Sequence, residues 1–245
     1  MSGGGSVVGA GGLGGAAIVF DLDGTLVDSR LDFAALRQEV RTLLASHGLA
    51  WPAGRASEPA LAELLTWVRD HPAPAARQAY VQAMARVEAV ERAGHEAQAM
   101  PDAHAVLARL RAAGARLGVL TNNARAGSMA QMERLGLAGR VDVVVTRDDV
   151  PALKPDPRGL RMTFERLGRE RSRWFVGDSW IDAAAAEALG VAFIALRLEA
   201  ETLRAHGLTP ALWHAHSLDE AARVIEAAAD GAEEGGRGAE RCLDG

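Results

Sequence analysis

Short apolar runs alternate along this chain with segments whose apolar residues recur every three or four positions. The runs Ala16–Phe20, Arg116–Leu120, Val141–Val145, Arg173–Val176, Val191–Leu196 and a weaker Leu212–His214 are brief and rich in β-formers, which predicts strands. Between them, Asp102–Ala113, Ser128–Leu135, Arg158–Leu167, Asp182–Leu189 and Leu218–Ala228 carry helical spacing. Gly114, Gly136, Gly168 and Gly190 close four of these segments, as expected of a residue that tolerates the left-handed backbone of a helix end. Apolar strands in alternation with helices predict an α/β fold, a doubly wound parallel sheet covered on both faces.

The alternation breaks once. From Leu31 to Ala99 no strand is predicted, only the helical stretches Phe33–Ser46, Ala60–Arg69 and Ala75–Gln98. Phe33, Leu36, Val40, Leu43 and Leu44 share one helical face, giving this segment an apolar stripe of its own, and Trp51 and Trp67 suit the core of the same unit. The predicted organisation is an α/β core over 16–29 and 100–229, with a helical domain inserted at 30–99. The insert starts just past the C-terminal end of the first strand, so it is expected to cover the crevice where doubly wound folds bind ligands. Residues 1–15, just over half glycine, and 230–245 read as flexible or disordered tails. Gly9, Gly11 and Gly14 spell G-x-G-x-x-G, but a strand rather than a helix follows, which argues against a dinucleotide site.

Composition narrows the class. A single cysteine, Cys242, excludes a disulfide framework and a cysteine-built metal centre, and its place in the tail makes it a bystander. No apolar run approaches the roughly 18 residues of a membrane span. A net charge of -5 with scattered arginines lacks the clustered basic face of a nucleic-acid binder. The expectation is a cytoplasmic enzyme, monomeric or homodimeric. Of 27 basic residues only Lys154 is lysine, so chemistry that needs an amine must use it.

Candidate chemistry gathers at strand ends. The first strand runs into Asp21-Leu22-Asp23-Gly24-Thr25, where close carboxylates require a cation, a shared proton or hydrogen bonds, unless they merely cap a turn. The second ends in Thr121-Asn122-Asn123, Lys154 precedes a helix in Lys154-Pro155-Asp156-Pro157, and a later strand ends in Gly177-Asp178-Ser179-Trp180-Ile181-Asp182. Acids, a hydroxyl and a cation thus meet on the ligand side of the sheet, and a hard cation such as Mg²⁺ takes carboxylate oxygens together with water and substrate phosphate.

With D-x-D-G-T at Asp21–Thr25, Thr121, Lys154 and G-D-x-x-x-D at Gly177–Asp182, the sequence resembles the haloacid dehalogenase superfamily over about residues 16–228. The inserted helices and the Thr-Leu-Val-Asp-Ser run resemble its phosphoglycolate-phosphatase-like subgroup with a helical C1-type cap. The resemblance implies a Mg²⁺-dependent phosphatase acting on a small phosphorylated metabolite. Asp21 would be the nucleophile that forms an aspartyl-phosphate, and Asp23 the acid and base. Thr121 and Asn122 would hold phosphoryl oxygens, and Lys154 would pair with nucleophile and phosphate. The metal ligands would be Asp21, Asp23 (through its carbonyl), Asp178 and Asp182. Arg30, directly after the first motif, is a candidate for a second anionic group on the substrate, with Arg37, Arg41, Arg55, Arg69 and His71 further candidates.

Alternatives of other kinds remain at this point: a β-phosphoglucomutase-type mutase, a metal-free dehalogenase, or a non-catalytic phosphate-binding module. Asp23 disfavours the dehalogenase, and the absence of a lysine in the insert disfavours phosphonate cleavage through a Schiff base. His214 and His216 form an H-x-H pair without an evident third ligand, which suits a strand end better than zinc.

Overall fold

The computed structural model describes residues 12–53, 59–93, 96–168 and 172–240, with 93 and 230–240 as backbone. Expectations placed on 1–11, Arg55 and Cys242 lie outside the described residues. The first strand, β1 (Ala16–Phe20), is buried along its whole length. It leads through β2 (Val27–Asp28) into helices α1 (Phe33–Ser46), α2 (Leu61–Arg69) and α3 (Pro74–Ala93), and β3 (Gln98–Ala99) returns the chain to the sheet. There follow α4 (Ala103–Ala112), β4 (Arg116–Leu120), α5 (Arg125–Arg134), β5 (Val143–Val145), α6 (Arg158–Leu167), β6 (Ser172–Gly177), α7 (Trp180–Leu189), β7 (Ala192–Leu196), α8 (Ala200–Ala205), β8 (Trp213–Ala215) and α9 (Leu218–Glu240).

Six strands form one sheet in the order β5-β4-β1-β6-β7-β8, every neighbouring pair parallel. The chain builds outward from β1 to β4 and β5, then crosses back to lay β6, β7 and β8 on the other side. That reversal puts a crevice at the carboxyl ends of β1 and its neighbours. Asp21 is the first residue past β1.

Apolar side chains pack on both faces of the sheet. Ile18, Phe20, Leu107, Leu110 and Ile225 belong to one core cluster, and Ala17, Val19, Leu160, Phe164 and Phe193 to the other. Small residues let helix and sheet approach closely: a Cβ on Gly118 of β4 would lie 2.9 Å from the Thr163 methyl of α6.

The insert has a separate core of Leu36, Val40, Leu44, Leu64, Leu65, Val68, Ala79, Ala83 and Val87, with Trp51 and Trp67 packed edge to face at 5.6 Å. Asp32 starts α1 by accepting the Ala35 N–H at 2.8 Å, and Leu36, Val40 and Leu44 repeat at the four-residue interval that buries one stripe.

Four differences from the sequence reading have physical causes. The segment Leu31–Ala99 does contain a strand: the helix expected to reach Gln98 gives way to β3, which pairs antiparallel with β2 and ties the two crossings into the insert together. Two-residue strands carry too short an alternation to be read locally. Phe33, assigned to the apolar stripe, is 39% exposed because it sits at the start of α1, beside the crevice rather than inside the bundle. Leu13, placed in the N-terminal tail, is buried in the sheet's core. Finally, α9 continues to Glu240 instead of stopping near Ala228, so disorder expected from 230 onward is replaced by helical backbone over most of that stretch. Ala and Glu between the glycines favour propagation once a packed helix exists. Among the described residues, no helix is long and apolar enough to cross a membrane.

Candidate active site

The sheet edge brings Asp21, Asp178 and Asp182 together with the lysine in one cluster, three of the four predicted acids. Lys154, 3% exposed, reaches from the loop before α6 and places its Nζ 2.5 Å from Asp21 Oδ1 and 2.7 Å from Asp182 Oδ1. The Leu120 carbonyl accepts a hydrogen bond from the same nitrogen at 3.2 Å. Asp182 is held on the first turn of α7 by the Ser179 hydroxyl and the Ser179 N–H, a cap that fixes the carboxylate toward the lysine. Burial opposes the Lys154 charge, but Asp182 and Asp21 outweigh it and raise the ammonium's pKa.

The acids are short of positive charge. Burial raises Asp21 well above the usual carboxylate range; Lys154 opposes that shift, while Asp182 and Asp178 reinforce it. Burial, with Asp182 next, pushes Asp178 up to about 7. Asp21, Asp178 and Asp182 each bring a carboxylate oxygen to within 4.8 Å of one another, a set that can hold a metal ion. Hard oxygen donors with this excess negative charge fit a divalent cation such as Mg²⁺. Gly24 makes room for the cluster: at φ +74°, a Cβ there would lie 1.9 Å from Asp178 Oδ2. A glycine is the one residue that turns there and admits the carboxylate.

Asp23 has a different setting. Its Oδ2 accepts from Asn123 Nδ2 at 2.5 Å, and its carboxylate lies outside the three-acid cluster. Burial lifts its pKa to about 6, against hydrogen bonds from Ser29 and Asn123 that favour the anion. Two aspartates one residue apart therefore have distinct surroundings, one facing a lysine and acids, the other an amide.

Thr121 is 2% exposed and follows β4, where its Oγ1 accepts the Asn123 N–H at 3.1 Å. Asn122 clamps the lysine loop: its Oδ1 accepts from Lys154 N at 2.9 Å, and its Nδ2 donates to Lys154 O at 3.1 Å. These groups line a cavity of about 290 Å³ between sheet and insert, together with Phe33, Arg37, Leu61, Leu65 and Val87 from the insert. Acids and amides occupy the floor, and mainly apolar side chains the roof.

Asp21, Asp23, Thr121, Asn122, Lys154 and Asp178 all line this cavity, with Asp182 in contact with Lys154 beneath it. Arg30 does not. It is exposed, and both its N–H and its guanidinium turn to Asp28 (3.2 and 3.7 Å). Its positive φ of 51° belongs to the crossing after β2, so nearness in sequence to the first motif does not carry it to the cavity. Arg37, one turn into α1, lines the cavity instead. Arg69 and His71 border a separate groove beside Asp156 and Arg158. His214 Nδ1 faces the Leu198 carbonyl at 3.3 Å, an ordinary strand-end contact.

Sequence reasoning missed Glu91 and Arg147, which meet on the cavity wall. Arg147 had one usable signal, its place two residues past β5 on the same edge of the sheet. Glu91 had none, since an acid on a polar helix face is usually solvated.

Comparison with known proteins agrees with this geometry. The model of the haloacid dehalogenase-like hydrolase family matches residues 16–190. The phosphoglycolate phosphatase of Cereibacter sphaeroides is 37% identical over 185 residues, covering 72% of this chain and 82% of that protein. That of Rhodospirillum rubrum is 35% identical over 203 residues, covering 74% and 78%. The crystal structure of a hydrolase from Pseudomonas syringae superposes with a TM-score of 0.64 at 20% identity, over 86% of this chain and 98% of that one, a likeness of fold. The sheet order, the site at the end of β1 and these matches lead to one assignment: the chain belongs to the haloacid dehalogenase-like hydrolases.

Proposed function

We propose that this protein is a Mg²⁺-dependent phosphatase that hydrolyses a small phosphate monoester, phosphoglycolate or a similar compact ester, through a phosphorylated Asp21. The observation that carries the reading is the Lys154 ammonium between Asp21 and Asp182 with Asp178 alongside, on the floor of the cavity. The phosphoglycolate phosphatases among its relatives favour that substrate class.

Asp21 attacks the phosphorus, forming an Asp21–O–P bond as the bond to the substrate's ester oxygen breaks. Lys154 keeps the nucleophile aimed, and its charge offsets the approach of one anion to another. Asp23, with a pKa near 6, gives its proton to the departing alkoxide. Asp23, now a carboxylate, takes a proton from water, and the resulting hydroxide attacks phosphorus to release phosphate and restore Asp21. Thr121 and Asn122 hold the phosphoryl oxygens through the transfer. Asp21, Asp178, Asp182 and the Asp23 carbonyl would bind Mg²⁺, which supplies charge stabilisation to the phosphoryl oxygens when bound.

The test is phosphate release from a panel holding phosphoglycolate, sugar phosphates, nucleoside monophosphates and pyrophosphate, with Mg²⁺ and with EDTA. Release that needs the metal and favours one small acid supports the proposal. Undiminished turnover in EDTA, or transfer between hydroxyls of a sugar in place of hydrolysis, overturns it.

A further inference from the structure

The inserted helices meet the catalytic loops through a buried ion pair. Arg147, in the turn Arg147–Asp149 after β5, presents Nη1 to Glu91 Oε1 at 2.9 Å and Nη2 to Glu91 Oε2 at 3.2 Å. Their side chains are 8% and 5% exposed. Arg147 Nη2 also lies 3.8 Å from Glu88 Oε1, nearly one turn earlier on α3, and the pair's hydrogen bonds beyond its own lead to the loop that follows β4. Glu91 Oε2 accepts the Ala124 N–H at 3.2 Å. Arg147 Nη1 donates to the Asn122 carbonyl at 3.3 Å, and the Arg147 N–H donates to the Asn123 carbonyl at 3.0 Å. Asn122 in turn clamps the backbone of Lys154, and Asn123 holds the Asp23 carboxylate.

A carboxylate on α3 is thus one hydrogen bond from the Thr121–Ala124 loop and two from the lysine loop and Asp23. A planar fork with two donors to one carboxylate fixes direction as well as distance. Stability alone would be served at least as well by apolar side chains of similar volume, since a buried ion pair seldom exceeds them.

We propose that Glu91 and Arg147 are positioning residues: the pair transmits the seating of the inserted helices to the loop that holds the phosphoryl group. The catalytic consequence rests on the phosphatase reading above; the structural coupling does not. The pair completes the loop when α3 is seated, so cavity closure and alignment of Thr121, Asn122 and Asn123 are a single event.

The experiment compares the wild-type chain with the apolar double variant Glu91→Leu/Arg147→Met and with Glu91→Gln. Three readouts are thermal melting, kcat and KM on p-nitrophenyl phosphate with Mg²⁺, and hydrogen exchange at the Asn123 amide. That amide is held by Thr121 Oγ1 and not by Glu91, so its exchange follows the loop and not merely the deleted acceptor. The double variant should melt close to wild type while kcat/KM falls about 10- to 100-fold, the scale of a misplacement near 1 Å. Asn123 exchange should rise about tenfold. Glu91→Gln, which keeps the size and one acceptor, should retain more activity than the double variant and carries the same test if the latter melts early. An apolar pair that restores stability, activity and Asn123 protection together overturns the inference, because the ion pair is then structural. Faster exchange in the variants beside a wild type that releases no phosphate would uphold the coupling and overturn the phosphatase reading instead.

Discussion

Replacing Lys154 by methionine removes the positive charge from the centre of the site with little change in volume. In the native fold this ammonium is almost fully buried and lies 2.5 and 2.7 Å from two carboxylates, with Asp178 in the same cluster. Removing one partner from a buried ion pair destabilises by about 3–5 kcal/mol, because the remaining charge has neither water nor counter-ion. For a chain of this size that corresponds to a fall in melting temperature of roughly 6–20 °C at pH 8 in EDTA.

The pH dependence gives the prediction its sign. Asp21 and Asp178 already have folded pKa values above their ordinary range, with burial the leading cause. Loss of Lys154 raises Asp21 further, since the lysine is the main group holding it down. A folded state that keeps protons the unfolded chain has released loses stability as pH rises from about 4 through the folded values. The variant should therefore regain much of its deficit near pH 5 and be worst at pH 8. Saturating Mg²⁺ should recover part of the loss at pH 8, as any ligand does that binds only the folded state. Differential scanning fluorimetry over pH 5–8, with and without Mg²⁺, measures all of this. A Lys154→Met protein melting within a degree of wild type at pH 8 in EDTA would refute the claim that the lysine balances a buried acidic cluster.

Other expectations concern separate parts of the molecule. With Asp23 near pKa 6, kcat for an alkyl ester, whose alkoxide needs a proton, should decline above about pH 6 more steeply than kcat for p-nitrophenyl phosphate; parallel pH profiles would remove Asp23 as the acid. Gly24→Ala drives a Cβ into Asp178 at a left-handed backbone position, so it should abolish phosphate release and lower the melting temperature, and an active variant would contradict the packing described. Against its burial, Arg125 and Thr146 hold Asp149 down at a pKa of about 2. Its contribution is present above about pH 4 and lost as pH falls toward 2. Allowing for the exposed Arg125, Asp149→Asn should cost about 1–2 kcal/mol in urea unfolding at pH 6 and almost nothing near pH 2.

The convergence of the site residues was legible in the sequence for a structural reason. In a parallel sheet each strand delivers its last residues to the same edge, so Asp21, Thr121 and Asp178 can be placed together from strand positions alone. The same logic placed the lysine loop, which precedes α6 and returns to that edge. Arg30 failed because proximity in sequence is not proximity in space across a crossing with positive φ. The pair Glu91–Arg147 stayed hidden for a related reason. Its partners are 56 residues apart, on a helix of the insert and a turn of the sheet, and no periodicity encodes how one unit seats on the other.

Charge balance joins the site to its roof. The cluster of Asp21, Asp178 and Asp182 with the Lys154 ammonium carries two excess negative charges when all are ionised. A phosphate monoester brings up to two more, and Arg37 on the otherwise mainly apolar roof offsets only one of these charges. Arg147 cannot serve, since Glu91 neutralises it in a bidentate pair. A divalent cation among Asp21, Asp178 and Asp182 would bring that cluster to neutrality and lower the carboxylate pKa values that burial has raised, favouring the ionised Asp21 that the proposed attack requires. On the proposed mechanism, dependence on the metal then follows from the electrostatics of the site: the cation would oppose the burial that disfavours the Asp21 carboxylate.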